Sequence, residues 1–236
     1  MTESVPVLPA AVLWDMDGTI VDTEPYWMLA QGRLVESYGG TWTHEAAMTL
    51  VGSGLDRSAA ILQEFGVDLP GDEIIQLLST RVMEQISERV PWRPGALELL
   101  TALHEAEVPQ ALVTMSIGRM ARHVASFIPF PAFGSIVSAD EVTVSKPHPE
   151  AYLTAAANLG TPVEGSVAIE DSVTGVTSAV ASGAVVIGVE HLLNLDDAGA
   201  HRIWQTLEGV TPADLGAVLA EVRAGAGAPA RDGAHA

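Results

Sequence analysis

Cysteine is absent from the 236-residue sequence, which excludes disulfide bonds, thiol catalysis and zinc–thiolate sites. Basic side chains are scarce as well: 11 lysines and arginines stand against 30 aspartates and glutamates, for a net charge of -19. Nucleic acids and anionic membranes bind basic patches, so we expect neither as a partner. The seven histidines are scattered without the spacing of paired ligands, so we expect no histidine-rich metal site.

Long apolar runs are also missing, and residues 1–6 carry no basic stretch ahead of an apolar one. We therefore expect no signal peptide, no membrane span and a cytoplasmic location. What the sequence does have is size and apolar content, because 48% of its residues are hydrophobic. A chain of this length can bury a sizeable core, as one large domain or as a domain with a smaller insertion.

One short stretch combines an apolar run with two carboxylates. Residues 11–14 are apolar and predict a buried strand, and Asp15 and Asp17 follow it before Gly18 allows a sharp turn. Since side chains alternate in extended chain, the two carboxylates start out on the same side, about 6.6 Å apart at roughly 3.3 Å per residue. Acids held this close either repel each other or share a cation.

Two alternatives to a shared cation site apply to this stretch: an ordinary turn and a calcium loop. A strand followed by an ordinary Asp-Gly turn fits the local sequence equally well, because both residues are common in turns. A calcium loop of the EF-hand type is excluded, since Ile20 takes its sixth position in place of glycine and Tyr26 its twelfth in place of glutamate. The local sequence alone does not distinguish an ordinary turn from a functional site, so the other motifs of the chain are needed.

Apolar runs and helical spacing alternate along most of the chain. Further strands are predicted at 110–113, 135–138, 166–169 and 184–189. Helices are predicted at 95–107, 117–127, 149–159 and 173–182, and one or two more after about 196. This alternation predicts a doubly wound, Rossmann-like α/β fold, with a parallel sheet covered on both faces.

A block of helices without an intervening strand lies between the first two strands. Its predicted helices are 25–39, 43–50, 56–65 and 71–89. Proline-bearing connections bracket the block, which predicts a smaller all-helical cap domain at 23–92, inserted into an α/β core formed by 1–22 and 93–223. We expect the low-complexity segment 224–236 to be a disordered tail.

Polar side chains follow the predicted strands, at the ends where open parallel sheets bind ligands. These side chains are Asp15, Asp17, Thr114, Ser116, Lys146, Glu170 and Asp171. Taken singly, several have a simpler explanation: Ser116 could cap helix 117–127, Asp171 or Ser172 could cap helix 173–182, and Lys146 could be a solvated loop residue. The convergence of acids, hydroxyls and one lysine at one edge of the sheet favours a functional site.

This set of groups suits phosphoryl transfer. Magnesium typically binds one or two carboxylates together with water and a substrate phosphate. Hydroxyls, the backbone N–H groups that begin helix 117–127 and the Lys146 ammonium can hold phosphate oxygens. A carboxylate held against phosphorus can form an aspartyl-phosphate, which divides one slow hydrolysis into two steps.

The same residues resemble the four motifs of the haloacid dehalogenase superfamily, in order and at plausible spacing. The motifs are Asp15-x-Asp17-Gly-Thr19, Thr114, Lys146-Pro147 and Glu170-Asp171-Ser172-x-x-Gly175. The resemblance spans residues 10–190 and includes the helical block, which is similar to the family's C1 cap. Met115 departs from the pattern, because the family commonly has a polar residue there, and we expect it to affect binding detail rather than chemistry.

The resemblance implies a role for each residue. Asp15 would be the nucleophile and a Mg²⁺ ligand, and Asp17 the general acid and base, with its backbone carbonyl on the metal. Thr114 and Lys146 would hold the phosphoryl group. Asp171, backed by Glu170, would complete the Mg²⁺ site.

The cap is expected to set substrate choice. The segment 51–57 resembles the family's substrate-specificity loop, which implies substrate contacts by Gly52, Ser53 and Arg57. Sugar-phosphate mutases of the beta-phosphoglucomutase branch resemble this chain closely, but they usually carry a cap histidine near Trp27 and an arginine near Leu55. Neither is present, so hydrolysis is favoured, with the mutase as the alternative.

A non-catalytic binding protein on the same scaffold is a second alternative, since a fold does not guarantee a function. A degenerate member is expected to lack one of the core groups, and here all of them are present. The sequence therefore predicts a Mg²⁺-dependent phosphatase of a small phosphorylated metabolite, such as a sugar phosphate. It leaves the particular substrate and the oligomeric state open.

Overall fold

The computed structural model describes residues 7–51 and 53–226, and a six-stranded parallel sheet lies at the centre of this part of the chain. Its strands are β1 Val12–Trp14, β2 Gln110–Val113, β3 Ser135–Val137, β4 Val167–Glu170, β5 Val185–Val189 and β6 Arg202–Trp204. The strand order is β3-β2-β1-β4-β5-β6, so β1 pairs with β2 on one side and with β4 on the other. The chain reverses its direction of winding beside β1, which is where open α/β sheets bind ligands.

Helices cover both faces of the sheet. They are α5 Ala96–Glu105, α6 Gly118–Ala125, α7 Glu150–Leu159, α8 Val173–Ser182 and α9 Pro212–Ala226. Successive residues of β1 point to opposite faces, so Val12 and Trp14 join one apolar cluster whereas Leu13 joins the other. Because both faces are buried, the central strands have continuous apolar sequences, and the predicted doubly wound α/β fold is confirmed.

The segment between β1 and β2 is helical. It contains α1 Glu24–Ser37, α2 His44–Met48, α3 Leu55–Glu64 and α4 Gly71–Glu88, with α4 packed against both α1 and α3. The chain enters and leaves this segment through adjacent antiparallel connections, where the Asp22 N–H donates to the Pro91 carbonyl at 2.8 Å and the Arg93 N–H to the Ile20 carbonyl at 2.8 Å. Division into a core and a cap at 22/23 and 92/93 stays a prediction, and these connections support it.

Two features of the C-terminal region differ from the sequence prediction. Strand β6 lies where only helices were predicted, and it forms the edge of the sheet, where it pairs with β5 through three half-buried residues. So short a strand has no periodicity to detect. Helix α9 continues to Ala226, past position 224, where the disordered tail was predicted to begin. The remainder of that tail, 227–236, lies outside the described residues.

Among the described residues, no helix is long and apolar enough to cross a membrane.

Candidate active site

The residues predicted at the strand ends converge on one edge of the sheet. Because β2, β1 and β4 are neighbours, the segments that follow them meet above β1. Buried or partly buried side chains at this edge are Asp15, Asp17, Thr114, Ser116, Lys146, Glu170 and Asp171. The structure brings all of these residues together. Their positions alone do not test the prediction that they are catalytic.

Lys146 connects the ends of three strands. Its side chain is only 5% exposed, and Nζ donates to Asp15 Oδ1 at 2.8 Å, to Glu170 Oε1 at 2.6 Å and to the Val113 carbonyl at 3.0 Å. The Lys146 N–H lies 3.4 Å from the Met115 sulfur, so the unusual residue of the second motif contacts the loop that carries the lysine. Lys146 is therefore not a solvated loop residue.

Asp17 is held by hydroxyl groups. Thr23 Oγ1 donates to Oδ1 at 2.5 Å, and Ser116 Oγ donates to Oδ2 at 2.7 Å. Thr114 Oγ1 lies 3.4 Å from the same Oδ2 and accepts the Ser116 N–H at 3.0 Å. Asp15 and Asp17 thus have different surroundings: the first faces an ammonium group, whereas the second faces neutral donors.

Glu170 is fully buried, and both of its carboxylate oxygens have donors. Oε1 accepts from Lys146 and from the Tyr152 hydroxyl, at 2.6 and 2.8 Å. Oε2 lies 3.1–3.3 Å from the Ser172 hydroxyl and from the N–H groups of Asp171 and Ser172. A Cβ at Gly175 would lie 1.8 Å from Oε1, so only glycine leaves room for this carboxylate.

Three of the carboxylates could hold a metal ion. Oxygens of Asp15, Glu170 and Asp171 lie within 4.8 Å of one another. A Cβ at Gly18 would lie 1.9 Å from Asp171 Oδ2, so this glycine lets the carboxylate approach the β1 turn. All the donors are hard oxygens, which suit Mg²⁺. The Asp17 carboxylate lies outside this group, and only its backbone carbonyl was assigned to the metal.

The electrostatics of the site are consistent with the binding of Mg²⁺ by these carboxylates. Burial, followed by the Glu170 charge, raises the pKa of Asp15 to about 7 against the opposing effect of Lys146. Burial raises the pKa of Asp17 too, although hydrogen bonds from Thr23 and Ser116 oppose the change, and burial and the Asp15 charge raise the pKa of Asp171 well above its ordinary value. A divalent cation would favour the ionised form of its ligands.

The residues predicted to contact substrate from the cap loop do not belong to this group of strand-end residues. Ser53 Oγ donates to the Thr49 carbonyl at 3.3 Å, and Arg57 is exposed on α3. Within the described ranges, neither side chain hydrogen-bonds to a residue at the strand ends. Gly52 lies outside the described residues. Substrate contact by these three residues stays a prediction.

Two residues of the site were missed by sequence reasoning. Thr23 lies in the turn region directly before α1, and its hydroxyl bonds to Asp17 across the turn. Tyr152 lies on the core-facing side of α7, where its spacing indicates an ordinary buried aromatic residue. The signal available for Tyr152 was its hydroxyl group. Helical spacing indicates that the ring is buried, and a buried hydroxyl needs a hydrogen-bond partner.

The family model that describes haloacid dehalogenase-like hydrolases matches residues 12–189, more than half of the chain. The chain belongs to this family. The matched range begins with β1 and ends with β5, so it contains all of the strand-end motifs. The predicted family resemblance is therefore confirmed.

Named relatives of this family member are phosphatases. The phosphorylated carbohydrates phosphatase of Thermotoga maritima is 32% identical over 90% of this chain and 99% of its own length. Hexitol phosphatase A of Escherichia coli is 34% identical over 75% of this chain and 81% of its own length.

Solved structures share the fold at lower identity. Beta-phosphoglucomutase from Clostridium difficile has a TM-score of 0.78 at 22% identity, covering 92% of this chain and 100% of that one. CbbY from Rhodobacter sphaeroides in complex with phosphate has a TM-score of 0.76 at 24% identity, covering 86% and 96%. Likeness at this level establishes the architecture and leaves the reaction to be argued from the site.

Proposed function

We propose that this protein is a Mg²⁺-dependent phosphatase that hydrolyses a small phosphomonoester through an aspartyl-phosphate on Asp15. The observation that carries the proposal is the different surroundings of the two carboxylates after β1. Asp15 is paired with Lys146 at 2.8 Å, whereas Asp17 accepts from hydroxyl groups at 2.5 and 2.7 Å. A nucleophile and an acid need such different surroundings, and an ordinary turn does not.

In the first half of the reaction, an Asp15 carboxylate oxygen attacks phosphorus and the bond from phosphorus to the ester oxygen breaks. Asp17, whose pKa is raised by burial, gives its proton to the departing oxygen, so the product is a neutral alcohol. When substrate binds, the Lys146 ammonium and the hydroxyls of Thr114 and Ser116 exchange contacts within the site for contacts with the phosphoryl oxygens. The products are the alcohol and the aspartyl-phosphate.

In the second half, the Asp17 carboxylate takes a proton from water as the water oxygen attacks phosphorus. The bond from phosphorus to Asp15 then breaks, which restores the carboxylate and yields inorganic phosphate. Mg²⁺, held by Asp15, Asp171 and Glu170, would supply positive charge against the phosphate oxygens.

The substrate class follows from the relatives rather than from the site. Relatives named for phosphorylated carbohydrates and for hexitols support a sugar phosphate or sugar-alcohol phosphate as the substrate. Hydrolysis of such an unactivated ester is very slow without a catalyst, so it requires a dense arrangement of charge like the one around Asp15.

A phosphate-release screen over small phosphomonoesters tests the proposal. It compares wild type with Asp15→Asn, each with and without Mg²⁺, and uses Asp68→Asn as a control because Asp68 is exposed. We expect metal-dependent turnover by wild type and by the control, and a loss of roughly 10³-fold or more in Asp15→Asn. Equal turnover by Asp15→Asn would overturn the nucleophile assignment. Isomerisation of beta-glucose 1-phosphate faster than phosphate release would establish the mutase instead.

A further inference from the structure

Tyr152 contacts two residues of the candidate active site, Glu170 and Lys146. It lies on α7, which packs against β2, β3 and α8, and its side chain is fully buried. Its hydroxyl donates to Glu170 Oε1 at 2.8 Å, and its ring centroid lies 4.9 Å from Lys146 Nζ. One side chain thus contacts both members of an ion pair.

The hydrogen bond from Tyr152 shares its acceptor with Lys146. Oε1 of Glu170 receives both the phenol and the ammonium, whereas Oε2 faces the donors of residues 171 and 172. Since each oxygen of the carboxylate accepts from at least two donors, its orientation is held firmly. Removal of the phenol hydroxyl would leave Lys146 as the sole donor to Oε1 among the described residues.

Lys146 in turn divides its donors among two carboxylates and the Val113 carbonyl. Nζ lies 2.6 Å from Glu170 and 2.8 Å from Asp15. The Tyr152 hydroxyl partly neutralises the charge on Oε1 and so limits how strongly Glu170 attracts the ammonium. Without that hydroxyl, the full charge of Oε1 would act on Lys146, which would change the balance of its contacts with Glu170 and Asp15.

We propose that Tyr152 is a positioning residue which, through Glu170, sets the place of the Lys146 ammonium beside Asp15. The consequence for catalysis rests on the proposed phosphatase function, whereas the effect on Lys146 does not. Glu170 belongs to the candidate metal cluster, and loss of a hydrogen-bond partner of a metal ligand commonly lowers metal affinity or activity by roughly 10- to 100-fold.

Lys146 is the only lysine in the sequence, which makes the effect directly measurable. Protein labelled with ¹⁵N-lysine contains one labelled side-chain nitrogen, so its Nζ resonance reports on Lys146 alone. The test compares wild type with Tyr152→Phe and with the control Tyr38→Phe. Tyr38 is an exposed residue at the end of α1. We expect the resonance to move in Tyr152→Phe only, and kcat to fall by roughly tenfold or more with little change in KM.

An unmoved Nζ resonance in Tyr152→Phe would overturn the proposal, and Tyr152 would be a packing residue. A moved resonance with unchanged kcat would also overturn the positioning role in catalysis. If wild type hydrolysed no phosphomonoester, the proposed function would fail, and the resonance would still decide whether Tyr152 positions Lys146.

A second measurement covers the case in which Tyr152→Phe does not fold. In a Tyr26→Phe, Tyr38→Phe background, Tyr152 is the only tyrosine left, and it can be replaced by 3-fluorotyrosine during expression. Fluorination makes the phenol a stronger donor while it retains the ring and the hydroxyl. We expect the Nζ resonance to move in the direction opposite to that in Tyr152→Phe, or simply to move where that variant is absent. No movement would overturn the proposal.

Discussion

Lys146 Nζ lies 2.8 Å from Asp15 Oδ1 in an ion pair that is almost entirely removed from solvent. Lys146→Met keeps an unbranched side chain but leaves Asp15 and Glu170 without their buried cation. We expect the free energy of unfolding to fall by about 3–5 kcal/mol in urea denaturation. Phosphatase kcat/KM should fall by more than about 100-fold, since the charge opposite the phosphate is lost.

The control for the lysine substitution is Arg33→Met, which removes an exposed positive charge on α1. We expect its unfolding free energy to stay within about 0.5 kcal/mol of wild type. Wild-type activity in Lys146→Met would contradict the role of the ammonium, even if the variant were less stable.

Asp17→Asn retains an acceptor oxygen for Thr23 but carries no transferable proton. We expect kcat on an alkyl phosphate to fall by about 10²- to 10⁴-fold. p-Nitrophenolate leaves without being protonated, so p-nitrophenyl phosphate should still give a rapid burst in this variant before turnover stops at the aspartyl-phosphate. Stopped-flow absorbance measures the burst. Steady turnover at the wild-type rate would contradict the acid/base assignment, and exposed Asp68→Asn should behave as wild type.

The central sheet could be predicted because its signals are local. Apolar runs such as 110–113 and 166–169 match β2 and β4 to within a residue, since strands buried on both faces have continuous apolar sequences. Once the sheet is parallel, topology requires the residues at the carboxyl ends of β1, β2 and β4 to meet at one edge. Asp15, Thr114 and Glu170 therefore come together without any knowledge of their contacts.

The remaining features depend on packing between distant segments. β6 has three residues and only edge pairing, so no run or alternation marks it. The Tyr152 hydroxyl bonds to a carboxylate 18 positions away on another element, and helical spacing indicates only that its ring is buried. The place of Ser53 and Arg57 relative to the site depends on how the helical segment lies over the sheet, which no local pattern specifies.

Gly175→Ala tests how tightly α8 packs against Glu170. The added Cβ would lie 1.8 Å from Glu170 Oε1, so the carboxylate or the helix would have to shift. We expect a loss of about 1–3 kcal/mol in unfolding free energy, together with reduced kcat. The matched control is Gly225→Ala in α9, where the new Cβ meets no atom within 4 Å. There, alanine should leave stability unchanged or raise it by about 0.5–1 kcal/mol, and activity should be that of wild type.

Mg²⁺ should stabilise the folded protein if the three carboxylates bind it. Asp15, Glu170 and Asp171 lie within 4.8 Å of one another, and binding to the folded state alone adds about 2.7 kcal/mol at a hundredfold excess over Kd. We expect MgCl₂ to raise the Tm of wild type and of the exposed control Glu36→Gln, measured against NaCl of equal ionic strength. Asp171→Asn should lose this increase, and an equal increase in that variant would place the metal elsewhere.

Glu24 at the start of α1 should make stability depend on pH. Burial, followed by the charges of Asp17 and Asp22, raises its pKa from 4.5 to about 7. Between these values the unfolded chain has lost the proton while the folded protein still holds it, so stability declines as pH rises and the full cost is present above about pH 7. Glu24→Gln removes this cost. We expect its Tm to exceed that of wild type by more near pH 8 than near pH 5, with no such difference for Glu36→Gln. Equal Tm changes at both pH values would contradict the raised pKa of Glu24.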